Sequence, residues 1–116
     1  MTPKTDHPLP TAVQRFIDTT NSQDTDGFVA AFTEDAFLDD WGRGFSGHEG
    51  VRSWDGTDNI GVNAHFDLVS WHQGSAENVV IVVLTVSGDG YNGTGPMEFT
   101  LDDDRISRLI ISDSVG

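Results

Sequence analysis

Apolar positions in the first third of the chain recur with the spacing of a helix. Val13, Phe16, Ile17 and Thr20 fall at i, i+3, i+4 and i+7, one face of an amphipathic helix that begins near Thr11 and ends at Asn21-Ser22. Asp24 is placed to cap a second helix, on which Phe28, Ala31 and Phe32 share a face. The pattern then changes. Ala36 to Trp41 is a short run rich in large apolar residues and closed by Gly42-Arg43-Gly44, which predicts a strand leading into a turn. Ser46 with Glu49 three residues on has the form of a capping box. It opens a short third helix carrying Val51 and Trp54, which Asp55-Gly56 closes.

The remainder reads as strands: Val62 to His72, Asn78 to Ser87, Gly93 to Leu101 and Arg105 to Asp113, separated by turn-formers such as Gln73-Gly74-Ser75 and Asp102-Asp103-Asp104. The order α, α, β, α and then four strands predicts an α+β fold, an antiparallel or mixed sheet with its helices on one side. In Val79 to Val86 both alternating faces are apolar, so the strand needs cover on both sides. Ile106 and Ile110 against Leu109 and Ile111 repeat the pattern. Three modest helices cover one face only, and a second copy of the chain is the expected cover for the other, giving a homodimer.

Composition narrows the picture. The 116 residues, 36% hydrophobic with seven Phe and three Trp, suit one domain from Thr11 to Gly116, preceded by a flexible lead-in, Met1 to Pro10, that holds three prolines. Nineteen acidic against six basic residues give a net charge of −13, which repels phosphate backbones and anionic lipid, so neither nucleic acid nor membrane is an expected partner. The lack of cysteine excludes disulfides and thiolate chemistry. No apolar run suggests a membrane span or a signal core, and a cytoplasmic location is the default expectation. Gly88-Asp89-Gly90-Tyr91-Asn92-Gly93 matches a dinucleotide fingerprint literally. The residues after it contain Pro96 and alternate like a strand, so it reads as a hairpin loop. No pair of histidines has metal-ligand spacing, and no metal or cofactor is expected.

This element order, with Gln14-Arg15-Phe16-Ile17-Asp18, Phe32-Thr33-Glu34-Asp35-Ala36-Phe37-Leu38-Asp39-Asp40-Trp41, Gly47-His48-Glu49-Gly50-Val51-Arg52-Ser53-Trp54 and Asp104-Arg105-Ile106-Ser107-Arg108-Leu109, resembles the nuclear transport factor 2-like superfamily. Within it the chain is similar to the SnoaL-like and ketosteroid-isomerase-like group. The resemblance implies a cone-shaped sheet closed by helices, a cystatin-like roll, around a mostly apolar cavity that takes a small apolar or weakly polar molecule. Phe16, Leu38, Trp41, Val51, Trp54, Met97 and Ile111 are the residues expected to line it.

Asp40 carries the first expectation of chemistry. Strand parity puts Leu38 and Asp40 on one face and Phe37, Asp39 and Trp41 on the other. The resemblance places Asp40 where the ketosteroid-isomerase-like enzymes keep a general-base aspartate; the alternative is that it hydrogen-bonds the following turn. The same resemblance implies an acid/base aspartate on the final strand, here Asp113, which shares parity with Leu109 and Ile111. His65, in mid-strand between Ala64 and Phe66, is a further candidate acid. The resemblance also implies an oxyanion hole, but its tyrosine position holds Phe16 and its protonated aspartate falls at or beside Met97. Neither donates a proton, so a standard ketosteroid isomerase is not expected. Two readings follow: a cofactor-independent acid/base enzyme of isomerase, cyclase, dehydratase or hydrolase type, or a non-catalytic ligand-binding or dimerisation module.

Overall fold

The computed structural model describes residues 9–112, so the lead-in before residue 9 and the candidate acid Asp113 lie outside the described residues. Helix α1 (Thr11–Asn21) turns Ala12, Val13, Phe16, Ile17 and Thr20 inward, as the spacing predicts. After the left-handed Gln23, Asp24 accepts the Gly27 amide at 3.0 Å and caps α2 (Thr25–Ala30).

Strand β1 (Phe32–Asp40) starts four residues before the expected Ala36. The polar run Thr33-Glu34-Asp35, exposed at Glu34 and Asp35, hides its beginning, where Phe32 already pairs with Ile106 across an irregular register. The second difference is an additional strand, β2 (Arg43–Ser46). Trp41 and Gly42, at φ of 54° and 90°, are the two central residues of a tight hairpin. Arg43 and Gly44, expected in the turn, instead pair with Asp40 and Asp39.

Helix α3 (Gly47–Asp58) runs past Asp55-Gly56, because Gly56 is exposed and tolerated in the helix while Asp55 ties the end by accepting from Asn59 Nδ2 at 3.0 Å. Ser46 makes no capping bond; Gly47 at φ of 70° departs from the helical dihedrals that a capping box needs. A 3₁₀ turn, Ile60–Val62, occupies what the sequence suggests is the start of the next strand.

Strands β3 (His65–Gln73), β4 (Val79–Ser87), β5 (Gly93–Asp102) and β6 (Arg105–Ile111) complete a curved six-stranded sheet of order β2-β1-β6-β5-β4-β3. All neighbours are antiparallel except β1 and β6, which run parallel. At the β3 edge, Asn21 bonds both the carbonyl and the amide of Phe66, at 3.0 and 2.8 Å, and so satisfies backbone groups that no strand covers. The β4–β5 loop is closed by Asn92, whose side chain bonds Gly88 and Gly90. Gly88 cannot carry a side chain, since a Cβ would meet the Asn63 carbonyl oxygen at 2.7 Å.

The helices pack on one face of the sheet, onto Val80, Val82 and Leu84 of β4. Ile81, on the opposite face, is 4% exposed yet stands outside that core, with Val79 and Val83 half-buried beside it. No helix among the described residues is long and apolar enough to cross a membrane.

Candidate ligand cavity

The helix-covered face is filled at one end and hollow at the other. At the filled end Phe16 meets Phe28, Phe32, Phe66 and Phe99 with ring centroids 5.0 to 6.2 Å apart. Phe16, Leu38 and Val51, expected on the cavity wall, are fully buried in this packing and do not line the cavity. The cause is steric, because the Phe16 ring fills the space between the four rings around it.

The hollow end holds a cavity of about 350 Å³. Its apolar wall comes from Val62, Phe66, Leu84, Val86, Met97 and Ile111, and its rim carries Trp41 and Tyr91, 63% and 67% exposed. Trp41, Trp54, Met97 and Ile111 are among the residues that line it.

Asp40 ends β1 on this wall, its side chain 15% exposed. Parity separates the two adjacent carboxylates: Asp39 accepts the Gly42 amide at 2.8 Å and closes the turn, while Asp40 turns inward. Asp40 Oδ2 accepts two donors, Trp54 Nε1 at 2.9 Å and Arg43 Nη2 at 2.7 Å. Its Oδ1 accepts no hydrogen bond from the described residues. Arg43 Nη2 also donates to Asp58 Oδ1 at 3.0 Å, and these two carboxylates raise the guanidinium pKa, Asp58 more than Asp40. Thr57 donates to the other Asp58 oxygen at 2.7 Å.

Arg43 and Asp58 escaped the sequence reading. The signal was the spacing Asp40-x-x-Arg43, which becomes a directly opposed cross-strand pair of opposite charge once the hairpin turns at Trp41-Gly42.

His65 is not part of the cavity. It is the first residue of β3 and faces away from Phe66, half exposed, with Nε2 at 3.5 Å from Asp67 Oδ1 on the same outer face. Alternation along the strand, which turns Phe66 into the core, turns His65 out of it. His48 is half-buried, with Nε2 2.8 Å from the Phe32 carbonyl.

Behind the wall lies a buried polar knot that the sequence did not suggest. Asn59 Nδ2 donates to Asp55 Oδ1 and to Thr20 Oγ1, both at 3.0 Å, joining α3 to α1. Asp55 Oδ2 and Asn59 Oδ1 are buried without a partner among the described residues. Burial raises the Asp55 pKa above its usual value of 3.8; the bonds from Asn59 and Ile60 oppose this, as does the Thr25 side chain, although it closes no bond to Oδ2. Among the described residues no three His, Asp or Glu side chains converge as metal ligands.

Residues 13–109 match the family of SnoaL-like domains. No curated protein matches the sequence. Among solved structures, a candidate polyketide cyclase from Sinorhizobium meliloti is 25% identical, with a TM-score of 0.79 over 96% of this chain and 100% of that one. A Mycobacterium tuberculosis protein in complex with estradiol-17β-hemisuccinate is 15% identical, with a TM-score of 0.74 over 85% and 88% of the two chains. The Δ5-3-ketosteroid isomerase of a Mycobacterium species is 18% identical, with a TM-score of 0.71 over 85% and 87%.

Proposed function

Because this chain belongs to the family of SnoaL-like domains, we propose that its cavity takes a small, largely apolar molecule and that Asp40 is the general base of a cofactor-independent proton transfer on it. The observation that carries this reading is the division of labour within one carboxylate. Trp54 and Arg43 hold Oδ2, which fixes the plane of the group and leaves Oδ1 as the oxygen available to a substrate. The volume of about 350 Å³ stands at the small end of ligand pockets, roughly 300 to 1,000 Å³, and favours a body of one or two fused rings.

The reaction does not lean on the oxyanion hole of the ketosteroid isomerases, since Phe16 is in the core and Met97 offers no proton. Asp113 is the acid partner that the resemblance implies. The same absence of donors favours a second reading, in which the cavity binds a ligand without transforming it. A homodimer through the outer face of β4 and β6 belongs to either reading, on the strength of Ile81, Val83 and Ile110.

The test follows the Trp54 indole N–H resonance while a panel of flat one- and two-ring molecules is titrated in. Saturable movement of that signal, with the Trp71 indole unmoved, is the expected result. A panel without effect would remove the pocket reading. For any compound that turns over, Asp40→Asn is expected to lower the rate by about 10²- to 10⁴-fold with the fold intact, and Asp39→Asn to leave it unchanged.

A further inference from the structure

The charged groups lining the cavity are Asp40, Asp58 and Arg43, which sum to −1. The positive member is already engaged, since a single nitrogen of Arg43 serves both carboxylates. Asp40 Oδ1 is an acceptor with no hydrogen bond among the described residues, on a chain whose net charge of −13 lowers the cost of bringing in a cation and raises that of an anion. The aromatic lining points the same way. Trp54, Trp41 and Tyr91 border this one cavity, and the faces of indole and phenol rings attract cations. Trp41 is held at φ of 54°, a left-handed state that a bulky residue rarely adopts, so the hairpin keeps an indole on the rim at a backbone cost.

We infer that the occupant of the cavity carries a protonated amine on a flat apolar body, with the ammonium seated on Asp40 Oδ1 beside the aromatic rim. The inference rests on the pocket reading above and deepens it by naming the group from which Asp40 Oδ1 would accept. A carboxylate or phosphate in the same place would face Asp40 and Asp58, opposed by one guanidinium whose Nη2 already serves both carboxylates.

Three probes that share one ring separate the possibilities: 1-naphthylmethylamine, 1-naphthylmethanol and 1-naphthoate, titrated into the full chain at pH 7 and low salt by calorimetry, with the Trp54 indole signal reporting the site. The amine is expected to bind about ten-fold more tightly than the alcohol, and the acid most weakly. In Asp40→Asn the amine should lose its advantage over the alcohol. Asp67→Asn removes the same charge from the outer face and should preserve it. If the alcohol or the acid moves the Trp54 signal and binds as tightly as the amine, the amine inference is overturned and the pocket stands. If none of the three binds, the pocket reading falls and the inference with it. The ranking on the unaltered chain decides by itself should Asp40→Asn fail to fold.

Discussion

One sheet face supports two interiors of opposite kind. Under α1, four phenylalanine rings converge on Phe16 and leave no room; under the end of α3, Met97, Ile111 and Leu84 face a hollow that Asp40 and Trp54 border. The packed half has nothing polar to offer a ligand. The hollow half gives up packing for a carboxylate one of whose oxygens accepts no hydrogen bond among the described residues. Stability and recognition are therefore divided along the strands, with β5 contributing Phe99 to one interior and Met97, two residues away, to the other.

Truncating each interior tests this division. Phe16→Ala should destabilise the chain by about 3–5 kcal/mol in urea unfolding, because the rings around it cannot close the gap. Met97→Ala should cost about 2 kcal/mol, the bottom of the range for a buried methionine, since a void already stands beside it. Its larger effect should be a shift of ligand preference toward bulkier bodies. Equal losses at the two positions would mean that the division does not exist.

Asp55 sharpens the boundary between the two halves. Its folded pKa is raised above 3.8, so the native state holds the proton more tightly than the unfolded chain does. Below that unfolded value both states carry the proton, and the contribution of the neutral group is fully present and independent of pH. As pH climbs from there through the folded pKa, the native state must take on a buried charge and stability falls. Asp55→Asn should therefore match the parent at the acid end and exceed it at pH 7, read from urea midpoints at both. A variant less stable at pH 7 would show that the Asn59 bond to the charged carboxylate outweighs its burial.

The smallest effect is expected at the rim. Trp41→Asn creates an Asn-Gly pair, the preferred occupant of such a turn, and should stabilise by about 0.5–1 kcal/mol while weakening the ligand that Trp41 borders. Tighter binding by this variant would contradict a rim role for the indole.

The elements were legible where one face is buried and the period is clean: α1 from Val13, Phe16 and Ile17, and β4 from its apolar run. They were not where a strand is short and polar. Arg43 and Gly44 carry turn residues yet pair as β2, because the two-residue turn lies one step earlier, at Trp41-Gly42. Parity separated Asp40 from Asp39, and the resemblance chose which of the two faces is inward. The cavity's extent followed from neither, since a hollow is what packing leaves over, and no periodicity separates Phe16, which fills space, from Met97, which borders it. Nor does parity reveal that Arg43 and Asp58, fifteen residues apart, meet at one nitrogen.

The parallel pairing of β1 with β6 bears on how the molecule comes into being. Asp40 is in register with Ile111, so the first strand finds its seat only against the last of the described strands, more than sixty residues downstream. Contacts of such sequence separation form slowly, and during synthesis β1 emerges from the ribosome long before its parallel neighbour exists. A growing chain can assemble its helices and the β1–β2 hairpin and still lack the side of the cavity that Ile111 provides. The pocket thus closes only after β6 has been made, and a nascent chain presents an unpaired β1 edge until that strand arrives to cover it.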